Sequence, residues 1–270
     1  MQKETFKEWN SNSTYGICKL SLLSVFRQPV IGTGLSTQLL FGELYEVIKI
    51  STDTNWIEIN GLRETGTGWI LASQHHVLTK EEFDFFVQSP LQVVSNGIGK
   101  IHLKDSVLFL LPGSQIYASH HEIFEWEEFI KFDGESRAFE KKASREELRN
   151  IALDFLNVPY LPGGRSLFGL NESSWLNLVF KIAGYTFPNH LPAILSVGKD
   201  RSVEEIQIGD IVIFGNSKGV PFQAGLYMGE CEILWVREKV KFGVFDPPKW
   251  HKRSGASAEI KLLHVKNIMD

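Results

Sequence analysis

Apolar and polar positions alternate in short runs through the first part of the chain. Leu44 to Ile50 and Trp56 to Ile59 are β-rich stretches set among the turn residues Asp53, Asn55, Asn60, Gly61, Gly66 and Gly68. From about Tyr15 to Ile70 this spacing predicts a small all-β barrel. A second set of short strands is predicted at Leu91 to Val94, Lys100 to Leu103, Ser106 to Leu111 and Gln115 to Tyr117, with turns at Asn96-Gly97 and Pro112-Gly113. It reads as a second, more diverged barrel. After the polar stretch Asp133 to Arg137 the period changes: Arg145 to Leu156 places Leu148, Ile151, Ala152 and Phe155 on one helical face. The segment Asn171 to Ala183 is the best-specified helix. Asn171 is a good N-cap, Glu172 sits in the first turn where the helix dipole favours an anion, and Gly184 follows the end. Its predicted apolar face is Trp175, Leu176, Val179, Phe180 and Ala183. Strands are expected at Asp210 to Phe214, Ala224 to Met228, Ile233 to Val236 and Val240 to Val244. The fold class is therefore α+β, divided into 1–75 and 76–138, two small barrels, and 139–270, a helix-then-strands unit.

With 270 residues, 43% of them hydrophobic, the chain can bury real cores. A net charge of -4 gives no electrostatic reason to expect nucleic acid or an anionic membrane, and the short basic patch Lys249 to Arg253 reads as a solvated loop. Cys18 and Cys231 are too few for a disulfide framework and lack any zinc spacing. The pairs His75-His76 and His120-His121 would point to opposite sides of an extended chain, so no shared metal is expected. No metal or other cofactor is assigned. No stretch approaches the ~20 apolar residues of a membrane span, and no signal-peptide core is seen near the amino terminus. As written the chain is expected to be cytoplasmic, or exported if a leader has been removed. The oligomeric state is left open.

Three stretches of the last unit carry a resemblance. Val158-Pro159-Tyr160-Leu161-Pro162-Gly163-Gly164-Arg165-Ser166 is similar to the Pro-Tyr-x-Trp-Gly-Gly-x-Ser loop of the NlpC (p-sixty) cysteine peptidases of cell walls. Gly169-Leu170-Asn171-Glu172-Ser173-Ser174-Trp175 falls where that family has Gly-x-Asp-Cys-Ser-Gly-Leu opening its catalytic helix. Gly209 to Phe214 followed by Gln223-Ala224-Gly225-Leu226-Tyr227-Met228-Gly229 resembles Gly-Asp-Leu-Val-Phe-Phe and His-Val-Gly-Ile-Tyr-Leu-Gly. In the first unit, Thr37 to Glu43 with Trp56 and Gly68-Trp69-Ile70 looks like the bacterial SH3-like domain that precedes such peptidases. The resemblance implies two SH3-like barrels followed by a papain-like NlpC domain, with murein peptides as the substrate class.

By that resemblance the catalytic positions fall on Glu172 for the cysteine, Gln223 for the imidazole and Trp235 for the orienting residue, a degenerate triad with no catalytic residue. Amide hydrolysis of this type needs a thiolate and a neighbouring base. An amide has no titratable proton near neutral pH, and an indole only donates. Pro162 stands in place of the family's tryptophan. Two residues could stand in for the nucleophile, and each lacks a base. Cys231 has no histidine near it in sequence, and its neighbours Glu230 and Glu232 would raise a thiol pKa. Ser173 lacks a base. Glu172 is either a first-turn glutamate suited to the dipole or a base or metal ligand at the foot of an inherited cleft. The residues expected to meet a ligand are Glu43, Asn171, Glu172, Ser173 and Gln223. Glu43 belongs by resemblance to the region that helps hold a murein peptide's amino end, and the alternative is that Glu43 and Glu172 are solvated surface glutamates. The leading expectation is a pseudoenzyme that binds murein peptides, a related small ligand or a protein partner. The rivals are an active γ-D-glutamyl-diamino-acid peptidase and a protein-interaction module.

Overall fold

The computed structural model describes residues 15–51, 53, 55–117, 131–245 and 261–270. The basic patch Lys249 to Arg253 and the pair His120-His121 lie outside them. Seven strands form the first sheet: β1 (Tyr15–Ile17), β2 (Leu22–Phe26), β3 (Leu35–Leu40), β4 (Leu44–Ile50), β5 (Trp56–Gly61), β6 (Gly66–Leu71) and β7 (Val77–Leu78), in the order β3-β2-β6-β5-β4-β1-β7. Pairing of β7 with β1 carries this sheet past residue 75. Helix α1 (Lys80–Gln88) follows, started by a capping box in which Thr79 and Glu82 bond each other's main-chain N–H. No helix was expected there, although Thr79-x-x-Glu82 is its sequence signature.

The second sheet holds β8 (Leu91–His102), β9 (Val107–Leu110), β10 (Gln115–Tyr117) and β11 (Lys131–Ala138). One expectation fails in it. Asn96-Gly97 does not turn a hairpin, because β8 runs through it and Gly97 takes a left-handed φ of 61° inside the strand. The polar stretch Asp133 to Arg137 is the middle of β11, paired with β8 through register shifts on both sides of Glu135. Bulges of this kind absorb turn-forming residues without ending the strand. Among the described strands neither sheet closes on itself, so the expected closed barrels are corrected to open, twisted sheets.

The last unit contains α2 (Arg145–Leu153), the short pair β12 (Arg165–Ser166) and β13 (Gly169–Leu170), α3 (Glu172–Ile182), α4 (Leu191–Ile194), and the sheet of β14 (Lys199–Asp200), β15 (Ile211–Gly215), β16 (Pro221–Gly229), β17 (Glu232–Val236), β18 (Val240–Val244) and β19 (Lys261–Asn267). Its order is β14-β19-β15-β16-β17-β18, antiparallel throughout. The architecture is thus mixed α+β.

Helix α3 is the centre of the molecule. Ser173 through Ile182 are all buried, so the helix has no solvent face, where a one-sided stripe was expected. On one side it meets Ile213, Ala224, Leu226, Leu234 and Val236 of the last sheet, and on the other the same core continues into Leu40, Leu44, Phe86, Leu91 and Val93 of the earlier units. A separate cluster on the far face of the last sheet joins Val212, Phe214, Ile233 and Phe245 with Tyr227 and Trp235.

Candidate functional site

The loop 158–164 is tied down on two sides. Tyr160 N–H donates to Glu238 O (2.9 Å) and Leu161 N–H to Leu170 O (2.9 Å). Gly163 has φ 72°, and a Cβ there would sit 2.4 Å from Leu35 O, so the loop backbone presses against β3 of the first sheet. The loop ends at the start of α3, where Asn171 caps the helix: its Oδ1 accepts from Ser174 N–H (2.8 Å), and Ser174 Oγ accepts from Asn171 N–H (3.0 Å).

The five expected ligand residues separate into used and unused groups. Asn171 is committed to the cap. Ser173 is buried, and its hydroxyl lies 3.1 Å from two acceptors, Asn171 Oδ1 and the main-chain Asn189 O, with no histidine or carboxylate bonded to it among the described residues. Gln223 is buried on β16, and its Nε2 donates to Val236 O (2.9 Å) and Ala224 O (3.2 Å), which ties β16 to β17. Glu43 overturns both expectations for it. It is 1% exposed and grips the chain's own cations, with Arg165 Nη1 and Nη2 each 2.8 Å from a different carboxylate oxygen and Lys181 Nζ on Oε1. It is neither a surface glutamate nor a group open to a ligand. Burial pushes its carboxyl up, but the Arg165 and Lys181 charges prevail and hold it at about 2.

Glu172 is the exception. It is half-buried in the first turn of α3, and among the described residues its carboxylate has no ion pair and no side-chain hydrogen bond. Burial raises its carboxyl above the ordinary range, while its own backbone N–H and the charge of Arg237 pull the other way. Arg237 in turn lies over the Trp235 ring, 5.4 Å from its centroid. Trp235 packs edge-on against Phe214 at 5.9 Å in the far-face cluster, and its buried Nε1 has no hydrogen-bond partner among the described residues. Glu172, Gln223 and Trp235 share no hydrogen bond with one another.

Of the cysteines, Cys18 is buried with its thiol directed at Leu20 O, and burial pushes that thiol far up. Cys231 is exposed at the β16–β17 turn with φ 61°. His75 pairs with Tyr45 and His264 with Asp200, so neither serves a thiol. Among the described residues no group of three His, Cys, Asp or Glu side chains could hold a metal ion. Beside the site a polar groove of about 690 Å³ opens between the first sheet and the segment before α4, lined by Ser36, Thr37, Glu64, Thr67, Asn189 and His190 among others. Asn189 joins it to the site: its Nδ2 donates to Thr37 Oγ1 (2.9 Å) and Thr65 O (2.8 Å) while its carbonyl takes Ser173. Arg165, Lys181, Asn189 and Arg237 were not anticipated. A charged residue inside an otherwise apolar helix was the available sign for Lys181.

No family model matches the chain. Its structure is similar to that of an NlpC/P60 family protein from Bacillus cereus ATCC 10987, with a TM-score of 0.76 at 15% identity over 95% of this chain and 100% of that one. It is also similar to an NlpC/P60 endopeptidase from Photobacterium damselae subsp. piscicida, with a TM-score of 0.68 at 16% identity, covering 95% and 72%. In fold the chain is similar to these NlpC/P60 proteins. The relationship in sequence is to the γ-D-glutamyl-L-lysine dipeptidyl-peptidase of Bacillus subtilis (strain 168), 24% identical over 216 residues, which span 74% of this chain and 71% of that protein.

Proposed function

We propose that this protein is a non-cutting member of the group, with SH3-like sheets ahead of the NlpC unit, that binds the amino end of a murein peptide or a related small amine. The observation that carries this reading is Glu172. It offers a free carboxylate at the start of α3, where the resemblance expects a nucleophile, while the polar groups around it are already engaged within the chain. A carboxylate cannot replace a thiolate that is activated by an imidazole, but it can neutralise an ammonium. The walls of the neighbouring groove, rich in hydroxyl and amide groups, suit the peptide portion of such a ligand.

The test is calorimetry with L-Ala-γ-D-Glu-diamino-acid peptides against the same peptides acetylated at the amine, beside a turnover assay. The expected result is binding that acetylation weakens, with no hydrolysis. A second reading, an active γ-D-glutamyl-diamino-acid peptidase, draws on the relationship to the Bacillus subtilis enzyme. Turnover that is lost on alkylation of Cys231 would establish it in place of the first.

A further inference from the structure

The buried charges around Glu43 do not balance. Glu43, Arg165 and Lys181 are 1%, 1% and 6% exposed, and they bring two cations against one carboxylate. Each comes from a different part of the fold: Glu43 from the β3–β4 turn, Arg165 from β12 and Lys181 from α3. The contacts close chain separations of 122 and 138 residues. The rest of the network is satisfied. Arg165 Nε donates to Asn177 Oδ1 (3.0 Å), Arg165 Nη1 to Gln38 O (3.2 Å), Arg165 N–H to Gln38 Oε1 (2.8 Å), and Leu40 N–H to Glu43 Oε2 (2.8 Å). With its amide turned to suit its neighbours, Gln115 of β10 offers its oxygen to Lys181 Nζ at 3.1 Å, which brings in the second sheet.

We propose that this cluster is an electrostatic lock joining the two amino-terminal sheets to the last unit, and that it tightens when Lys181 gives up its proton. The groups that act on Lys181 are Glu43, which favours its charge, and Arg165 and the Arg63 guanidinium, which oppose it. Cys18 feels the charges of Glu43 and Lys181, and Tyr117 feels those of Arg63 and Glu43, but burial keeps both neutral. Desolvation is the largest influence on Lys181 and brings its ammonium down to about 8, well below its ordinary 10.5. The folded form therefore binds that proton more weakly than the unfolded chain does. Stability is complete above about 10.5, falls as the pH drops towards 8, and is flat below that. Neutral Lys181 still meets Glu43, and the surplus charge is gone.

The experiment is urea unfolding of the full chain at pH 7.5 and 9.5, followed by tryptophan fluorescence and far-ultraviolet circular dichroism. Wild type, Lys181→Met and Lys181→Arg are compared. The expected wild-type result is one transition, coincident by both probes, with a folding equilibrium constant that rises about 20-fold more between the two pH values than in either variant. Lys181→Arg keeps the charge and cannot lose its proton, so it reads the pH response even if Lys181→Met does not fold. An equal rise in wild type and Lys181→Arg would overturn the titration. Two separated wild-type transitions would overturn the lock. Neither result depends on any ligand, so the amine-binding reading stands or falls separately.

Discussion

Glu172 and Gln223 are occupied in opposite ways. Gln223 spends its amide on two main-chain carbonyls, so it is a strap between strands. Among the described residues, Glu172 bonds only its own backbone N–H. Because burial raises its carboxyl, amine binding is expected to weaken as the pH falls, starting above the ordinary glutamate range. Titration calorimetry from pH 4.5 to 8 on wild type and Glu172→Gln measures this, and the variant should lose both the affinity and its pH dependence. The triple change Glu172→Cys, Gln223→His and Trp235→His should yield no measurable turnover of murein peptides. It removes the Gln223 strap and empties the aromatic packing against Phe214, at a cost of about 3 kcal/mol or more for the indole alone. A coupled amine-release assay on the purified variant checks it, and efficient cleavage would mean that the pocket has kept its catalytic shape. At this scale the Asn171 cap was legible in the sequence, but the surroundings of Glu172, Gln223 and Glu43 were not. The cations that meet Glu43 lie more than a hundred positions away, and no local pattern reports a contact at that distance.

At the level of elements, α3 was readable because its cap, first-turn acid and closing glycine are all local features. Its complete burial was not, since that depends on sheets from three parts of the chain meeting on it. The error at Asn96-Gly97 has the same origin: a strong turn dipeptide was overridden by the partner strand β11, which could accept a bulge. Glycines with left-handed φ separate these cases. At Gly42, φ is 79° and a Cβ would stand 2.1 Å from Gln115 O, between the first and second sheets. At Gly97, φ is 61° and nothing lies within 4 Å. Gly97→Ala should therefore cost about 1 kcal/mol, the backbone strain alone, and Gly42→Ala about 3 kcal/mol or more, because main chain must also move. Thermal melts of the two variants side by side would show the difference.

At the scale of the whole molecule, charges are buried where its parts meet. Glu43 has a folded value of about 2 against an ordinary 4.5, so it contributes stability above pH 4.5 that is lost as the pH falls to 2. That contribution is on the order of 3 kcal/mol. Urea midpoints at pH 5 and pH 3 should drop steeply for wild type and much less for Glu43→Gln, which would already be weakened at neutral pH by its unpaired partners. The α+β class was legible in the sequence; the buried ion pairs that reach across the chain were not.

The two thiols give this body its own clock. Cys231 stands in the open and Cys18 is sealed inside the first sheet, so an alkylating reagent should modify one site at once and the second only when that sheet opens. The slow phase then counts openings, and its rate as a fraction of the free-thiol rate gives the population of the opened form without any denaturant.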